Sequence, residues 1–154
     1  MTSQILEIAT LVVAGWVAGA ESASWAFVHP VIKRLPPKEQ IVFQQGLLKT
    51  FGRIMPVLMP LNFILSLVLC ISSATEENTV YYLRLAAVIA LATMILTTVI
   101  FNVPVNSATG KWNPEDLPPD WDKKRARWRF FQAYRSIILI GAFIILVIAQ
   151  VSSC

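Results

Sequence analysis

Four long stretches of the chain are nearly free of charge: residues 8–28, interrupted only by Glu21, then 54–72, 85–103 and 136–151. The last extends back past Arg135 to Phe130. A helix gains about 1.5 Å per residue, so crossing a bilayer takes about 20 mainly apolar residues. With flanking aromatics set at the interface, all four stretches reach that length. The pattern predicts an all-α fold, an integral membrane four-helix bundle in which residues 1–154 form a single domain. Its helices are expected at about 5–29, 52–73, 81–103 and 128–151.

The segments between the spans are also patterned. In "LPPKEQ", Pro36 and Pro37 precede a helical periodicity, and Pro37 suits the first helical position. Residues 37–50 are amphipathic and are expected to lie at the membrane interface before the second span. Pro56 and Pro60, four apart, predict a bend in that span. The stretch "NPEDLPPDW" carries Asn-Pro and Pro-Pro turn signals, after which Asp120 is placed to cap the fourth helix. Gly15 and Gly19 form a GxxxG pair beside Ala14, Ala18 and Ser22, which permits close contact with a neighbouring helix. Packing within the chain is the expectation, ahead of a homodimer contact. Ala18-Gly19-Ala20 has the shape of a signal-peptide cleavage site, but the first seven residues carry Glu7 and neither Lys nor Arg, which argues against one.

Composition agrees with a bilayer as the solvent. Hydrophobic residues make up 56% of the chain and charged ones 14%, with a mean hydropathy of +0.62, more apolar surface than a small water-soluble domain can bury. The net charge of +4 does not point to nucleic acid, because its basic residues sit in loops beside the spans. Lys33, Arg34, Lys38, Lys49 and Arg53 lie between the first two helices, against Glu39 alone. Lys111, Lys123, Lys124, Arg125, Arg127 and Arg129 lie between the last two. Opposite them stand Glu7, then Glu76 and Glu77, and an uncharged C-terminal "VSSC". The positive-inside rule therefore predicts cytoplasmic long loops, both termini outside, and an anionic inner leaflet as partner. The expected location is a bacterial inner membrane or another cellular membrane, and an oligomer or larger complex stays open. Cys70 and Cys154 follow no metal or redox spacing.

Ionisable residues inside spans are costly and normally face a bundle interior or a cavity. Three are present: Glu21, Arg84 and Arg135. Arg84 begins the third helix, where it is expected to snorkel or to pair with Glu76 or Glu77. Measured from Pro30 and Trp128, Glu21 lies about 13 Å deep and Arg135 about 10 Å deep at the helical rise. Their depths match, and an ion pair between the first and fourth helices is predicted, either as a structural staple or as part of a site. Regular helical spacing puts Glu21, Trp25 and His29 on one face. Arg53 is expected at the mouth of the second helix, and Asn62 deeper in it. Asn102 and Asn106 come from the end of the third, and Trp128, Gln132 and Arg135 from the fourth. The other half of each span is mostly Leu, Ile, Val and Ala. The asymmetry predicts a pocket open to the cytoplasm or the inner leaflet.

The order of a His-Pro closing the first helix, an "N-x-P-x-N" (Asn102, Pro104, Asn106) after the third, and the segment "RARWRFFQAYR" entering the fourth resembles the anthrone oxygenase-like family of small four-helix membrane proteins. Fungal members are associated with oxidising a polyketide anthrone to an anthraquinone with O2. The resemblance implies a small, flat, apolar substrate that partitions into the membrane, and an O2-dependent oxidation without a cofactor, haem and metal remaining open. It also implies a base, oxyanion donors and an apolar slot. His29, whose ordinary pKa lies near neutrality, is the preferred catalytic base, with Glu21 orienting or replacing it. Arg135, Asn102 and Asn106 are candidate oxyanion and phenol partners, and Trp25 and Trp128 candidate stacking surfaces. Asn62 and Gln132 complete the substrate-binding set. The rival readings are a membrane protein that binds a lipid or quinone-like molecule without chemistry, and a structural or accessory subunit.

Overall fold

The computed structural model describes residues 2–74 and 78–153; Glu76, Glu77 and Cys154 lie outside them. Among the described residues, four helices are long and apolar enough to cross a membrane. The first, α1, is α-helical over Thr2–Ala23, widens into a π-helical turn over Ser24–Val28, and closes with an α-helical turn over His29–Ile32. The second, α2, runs unbroken over Pro37–Ser72. The third, α3, is α-helical over Asn78–Thr97 and Val103–Lys111, with a π-helical turn over Thr98–Asn102 between them. The fourth, α4, spans Trp121–Ser152. Among the described residues there is no β-strand, only an isolated bridge between Asn113 and Asp116.

Both π turns have the same cause. Each is followed by a proline one residue beyond its capping residue, Pro30 after His29 and Pro104 after Val103. A proline has no N–H to donate, and its ring crowds the carbonyl four residues earlier. The turn relaxes by opening to an i→i+5 bond, from the His29 N–H to the Ser24 carbonyl and from the Val103 N–H to the Thr98 carbonyl. In α2 the helix instead passes through Pro56 and Pro60 without a change of type. Residues 37–50 continue into the second span as part of the same helix.

The extensive contacts join α1 to α2, α2 to α3, α3 to α4 and α4 back to α1, so the helices form a closed ring of four. The inward stripe of α3 is Val80, Arg84, Ala87, Val88, Leu91 and Met94, at helical spacing. Its Ala87, Leu91 and Met94 join Ala14, Val17 and Ala18 of α1 and Leu139, Ala142 and Leu146 of α4 in one apolar cluster. The outward faces are also apolar: Ile8, Val12, Ile64, Ile89, Ile137 and Ile144 are all exposed. A bundle whose outside is as oily as its inside is solvated by lipid, and the chain is an integral membrane protein.

Two sequence expectations change here. Arg84 does not snorkel; it is 1% exposed, because it lies on the buried stripe of α3, and its alternative pairing with Glu76 or Glu77 falls outside the described residues. Its guanidinium stands 3.5 Å from the Glu7 carboxylate, which also accepts a hydrogen bond from Gln150 at 3.1 Å. Asp120 occupies the N-cap position of α4 but makes no capping hydrogen bond. Its carboxylate pairs with Lys124 at 2.9 Å, one turn along.

Gly15 explains how closely α1 and α4 approach. A Cβ there would sit 3.2 Å from the Phe143 ring, whereas Gly19 faces open space. Gly15→Val is expected to lower stability by about 1–3 kcal/mol through overpacking, and Gly19→Val to leave it nearly unchanged. Thermal unfolding of the two variants in detergent checks this; equal effects would show that the Phe143 contact does not set the spacing.

Candidate functional site

At the end of the bundle that carries the basic loops, the ring of helices is not filled. A cavity of about 280 Å³ lies there, with walls from all four helices. Its apolar surface comes mainly from α2 and α3, through Phe51, Met55, Met59, Ile95, Val99 and Val103. Among the lining residues, Gly52, Pro56, Pro60, Val99 and Val103 are themselves exposed. The cavity therefore opens sideways, between α2 and α3, toward the lipid-facing surface.

Opposite that opening is the polar wall. The Glu21 carboxylate on α1 is 1% exposed, and its Oε2 accepts a hydrogen bond from Gln132 Nε2 at 2.7 Å and one from Arg135 Nη2 at 2.8 Å. Arg135 Nη2 also donates to Gln132 Oε1, which closes a triangle of three side chains. Behind it, the Ser136 hydroxyl reaches the Glu21 backbone carbonyl at 3.1 Å. A carboxylate in a low-dielectric interior is tolerated when paired and hydrogen-bonded, and both conditions hold. Among the described residues, Arg135 Nε and Trp128 Nε1 are buried donors without an acceptor, and Asn106 Oδ1 is an acceptor without a donor. All three residues line the cavity.

Two further acceptors come from the backbone. Pro56 and Pro60 cannot donate to the carbonyls of Gly52 and Pro56, so the helix leaves those oxygens without their usual N–H. Both residues stand in the cavity wall. In the sequence the proline pair reads as a bend; its consequence for hydrogen bonding was the signal to take from it.

Of the sequence-nominated residues, Glu21, Asn106, Trp128, Gln132 and Arg135 line the cavity, whereas His29, Trp25, Asn62 and Asn102 do not. The π turn is responsible for the change on α1. Regular spacing would stack Trp25 between Glu21 and His29, but the wider turn makes the buried face run Glu21, Ser24, His29. Ser24 lines the cavity, and Trp25 is turned partly outward. His29 sits behind the cavity wall. Its Nδ1 lies 3.2 Å from Gln44 Nε2, and its ring meets Trp128 edge-on with centroids 4.7 Å apart. Asn102 is buried beside α4, where its Nδ2 donates to the Trp128 carbonyl at 3.3 Å. Asn62 lies deeper in α2 and is buried with Oδ1 unpaired. Arg53 is exposed. Among the described residues, no three His, Cys, Asp or Glu side chains gather as a metal-ligand set.

Removing one member of the ion pair should cost much more than removing both. Arg135→Met leaves the Glu21 charge buried without its cation and is expected to destabilise the bundle by about 3–5 kcal/mol. Adding Glu21→Gln should recover a large part of that loss. Unfolding midpoints of the single and double variants measure the coupling; purely additive effects would mean that the charges do not act as a pair.

The sequence model of the anthrone oxygenase family matches residues 47–145. The match takes in most of α2, all of α3 and most of α4. It begins after Glu21, His29 and Pro30, so those α1 positions rest on the geometry alone. No curated protein and no solved structure matches the chain. With nearly two thirds of its length covered by that match, and with four membrane-spanning helices, the chain belongs to the anthrone oxygenase family.

Proposed function

We propose that the protein oxidises a flat, polycyclic phenolic substrate of the anthrone class with O2, inside the cavity between α2 and α3. The observation that carries this reading is the pairing of a buried carboxylate with unpartnered donors in an apolar, laterally open slot. About 280 Å³ is near the lower end of ligand pockets, which start at roughly 300 Å³. The lateral opening suits a substrate that dissolves in the bilayer rather than in water. Phe51 and Trp128 offer aromatic surface, and Met55 and Met59 polarisable surface, to fused rings.

The chemistry follows from the substrate and the wall. An anthrone carries a CH2 in its central ring, conjugated with the carbonyl across that ring. Glu21 is the base in this reading. Its Oε2 is held by Gln132 and Arg135, while Oε1 takes no hydrogen bond among the described residues. Loss of the CH2 proton to Glu21 places negative charge on the carbonyl oxygen, where Arg135 Nε–H and Trp128 Nε1–H can donate to it. The electron-rich anion transfers an electron to O2, and the two radicals combine into a peroxide at the former CH2 carbon. Glu21 returns its proton to the peroxide, and loss of water leaves the second carbonyl. One O2 is consumed; one of its oxygen atoms enters the quinone and the other leaves as water. The phenols of the substrate find acceptors in Asn106 Oδ1 and the Gly52 and Pro56 carbonyls.

His29 is not the base in this reading, because Trp128 and Gln44 stand between its ring and the cavity. With an anthrone and the purified protein, O2 uptake should exceed the spontaneous rate. Glu21→Gln should lower it by about 10²-fold or more, and His29→Ala should change it only several-fold. An oxygen electrode with a protein-free control reads both. Full uptake in Glu21→Gln, or none above background in the unaltered protein, would overturn the proposal.

A further inference from the structure

Behind the Trp128 wall is a second, much smaller cavity of about 10 Å³, lined by His29, Lys33, Gln40, Gln44, Arg125 and Arg129 together with Ile32 and Ile41. Its chemistry is the reverse of the first. No carboxylate lines it, and Lys33, Arg125 and Arg129 bring three cations. Arg129 stands 3.5 Å from Asp122, whose side chain is 68% exposed, so that pairing is weak. Arg125 has no such neighbour among the described residues. It is 3% exposed, its Nη2 has no acceptor, and its guanidinium lies 4.1 Å from the centre of the Trp128 ring.

A guanidinium removed from water without a counter-charge is costly, and a ring face replaces only part of the lost solvation. The neighbouring groups do not supply the remainder. Gln40 Nε2 donates to the Leu35 carbonyl at 2.8 Å and lies 3.4 Å from that of Lys33. The Gln44 amide faces His29 Nδ1 at 3.2 Å, which makes Nδ1 the acceptor and leaves Nε2–H as a donor. The charged groups and the imidazole that face this space are therefore donors.

We propose that this cavity binds one oxygen of a phosphate group, with Arg125 as its buried anchor and Lys33 and Arg129 at its rim. The volume admits a group about the size of one water, so an oxygen enters while the rest of the phosphate stays outside. The site lies where α1 ends and α4 begins, at the level where the helices leave the apolar layer. A lipid headgroup and a free phosphate share the required chemistry. Occupancy would also hold Trp128, since Arg125 lies on its ring, but the site stands independently of the proposed oxidation.

The test is the unfolding temperature of the full-length protein in lipid-free maltoside micelles, read after separate additions. These are phosphatidylglycerol, diacylglycerol as the same acyl chains without phosphate, and inorganic phosphate at constant ionic strength. A rise of several degrees with phosphatidylglycerol or with inorganic phosphate, and none with diacylglycerol, is expected. A response to the lipid alone assigns a headgroup, and one to phosphate alone a soluble ligand. The rise should vanish in Arg125→Met, shrink in Lys33→Ala at the exposed rim, and persist in Arg34→Ala, an exposed cation outside the cavity. If Arg125→Met does not fold, the contrast between Lys33→Ala and Arg34→Ala decides. No rise in any condition, an equal rise with diacylglycerol, or an unchanged rise in Arg125→Met or Lys33→Ala would overturn the proposal.

Discussion

The bundle depends on a buried carboxylate that two residues of a neighbouring helix hold in place. Between helices in lipid there is no hydrophobic drive, since the tails are as apolar as the side chains they would cover. Helix faces are then selected by close packing and by polar groups that need one another. Glu21 with Gln132 and Arg135 joins α1 to α4 at one end of the molecule, and the Gly15–Phe143 contact lets the same two helices approach. At the other end, Glu7 joins Arg84 of α3 to Gln150 of α4. Helices α1, α3 and α4 are thus tied by charge at membrane depth.

The membrane part of α2 has no such tie among the described residues. Its polar links gather near its start: Lys38 with Glu115, Gln44 with His29, and Gln45 with the Thr109 and Trp112 carbonyls at 3.1 and 2.9 Å. Beyond them it presents Pro56 and Pro60, which cannot complete the helix's own ladder. The cavity opens along this least-constrained side. The interaction that fixes three helices and the gap beside the fourth are therefore two consequences of one distribution of charge.

What was legible in the sequence follows the same division. Four spans were readable because length and apolarity are properties of each segment alone. The Glu21–Arg135 pair was readable because depth is a sum of helical rises, and two buried opposite charges at one depth have few other solutions. The face of α1 was not, because Pro30 adds one residue to the preceding turn and rotates everything beyond Val28. His29 therefore follows Ser24 rather than Trp25. The burial of Arg84 beside Glu7 was not readable, because the contact joins α1 to α3 and depends on which face of each helix turns inward. A pocket at this end was readable from the polar residues that the helices send there, but its lateral opening was not, since it depends on which residues of α2 and α3 face each other across it.

Trp128 and Gln44 separate two spaces with opposite electrostatic needs. On the cavity side, the charge of Glu21 is matched by Arg135, so the slot is close to neutral, as the proposed apolar guest would require. On the other side, Arg125 has no counter-charge among the described residues, and the small space is the proposed phosphate site. Gln44 lines both spaces, and the Trp128 indole in the wall of the larger cavity carries the Arg125 guanidinium of the smaller one 4.1 Å from its centre. If both proposals hold, a change in how Arg125 is compensated would act on the Trp128 ring that lines the larger cavity. The wall is where the proposed phosphate and substrate chemistries would meet, and the His29 ring that the π turn moved out of line with Trp25 packs against both of its members.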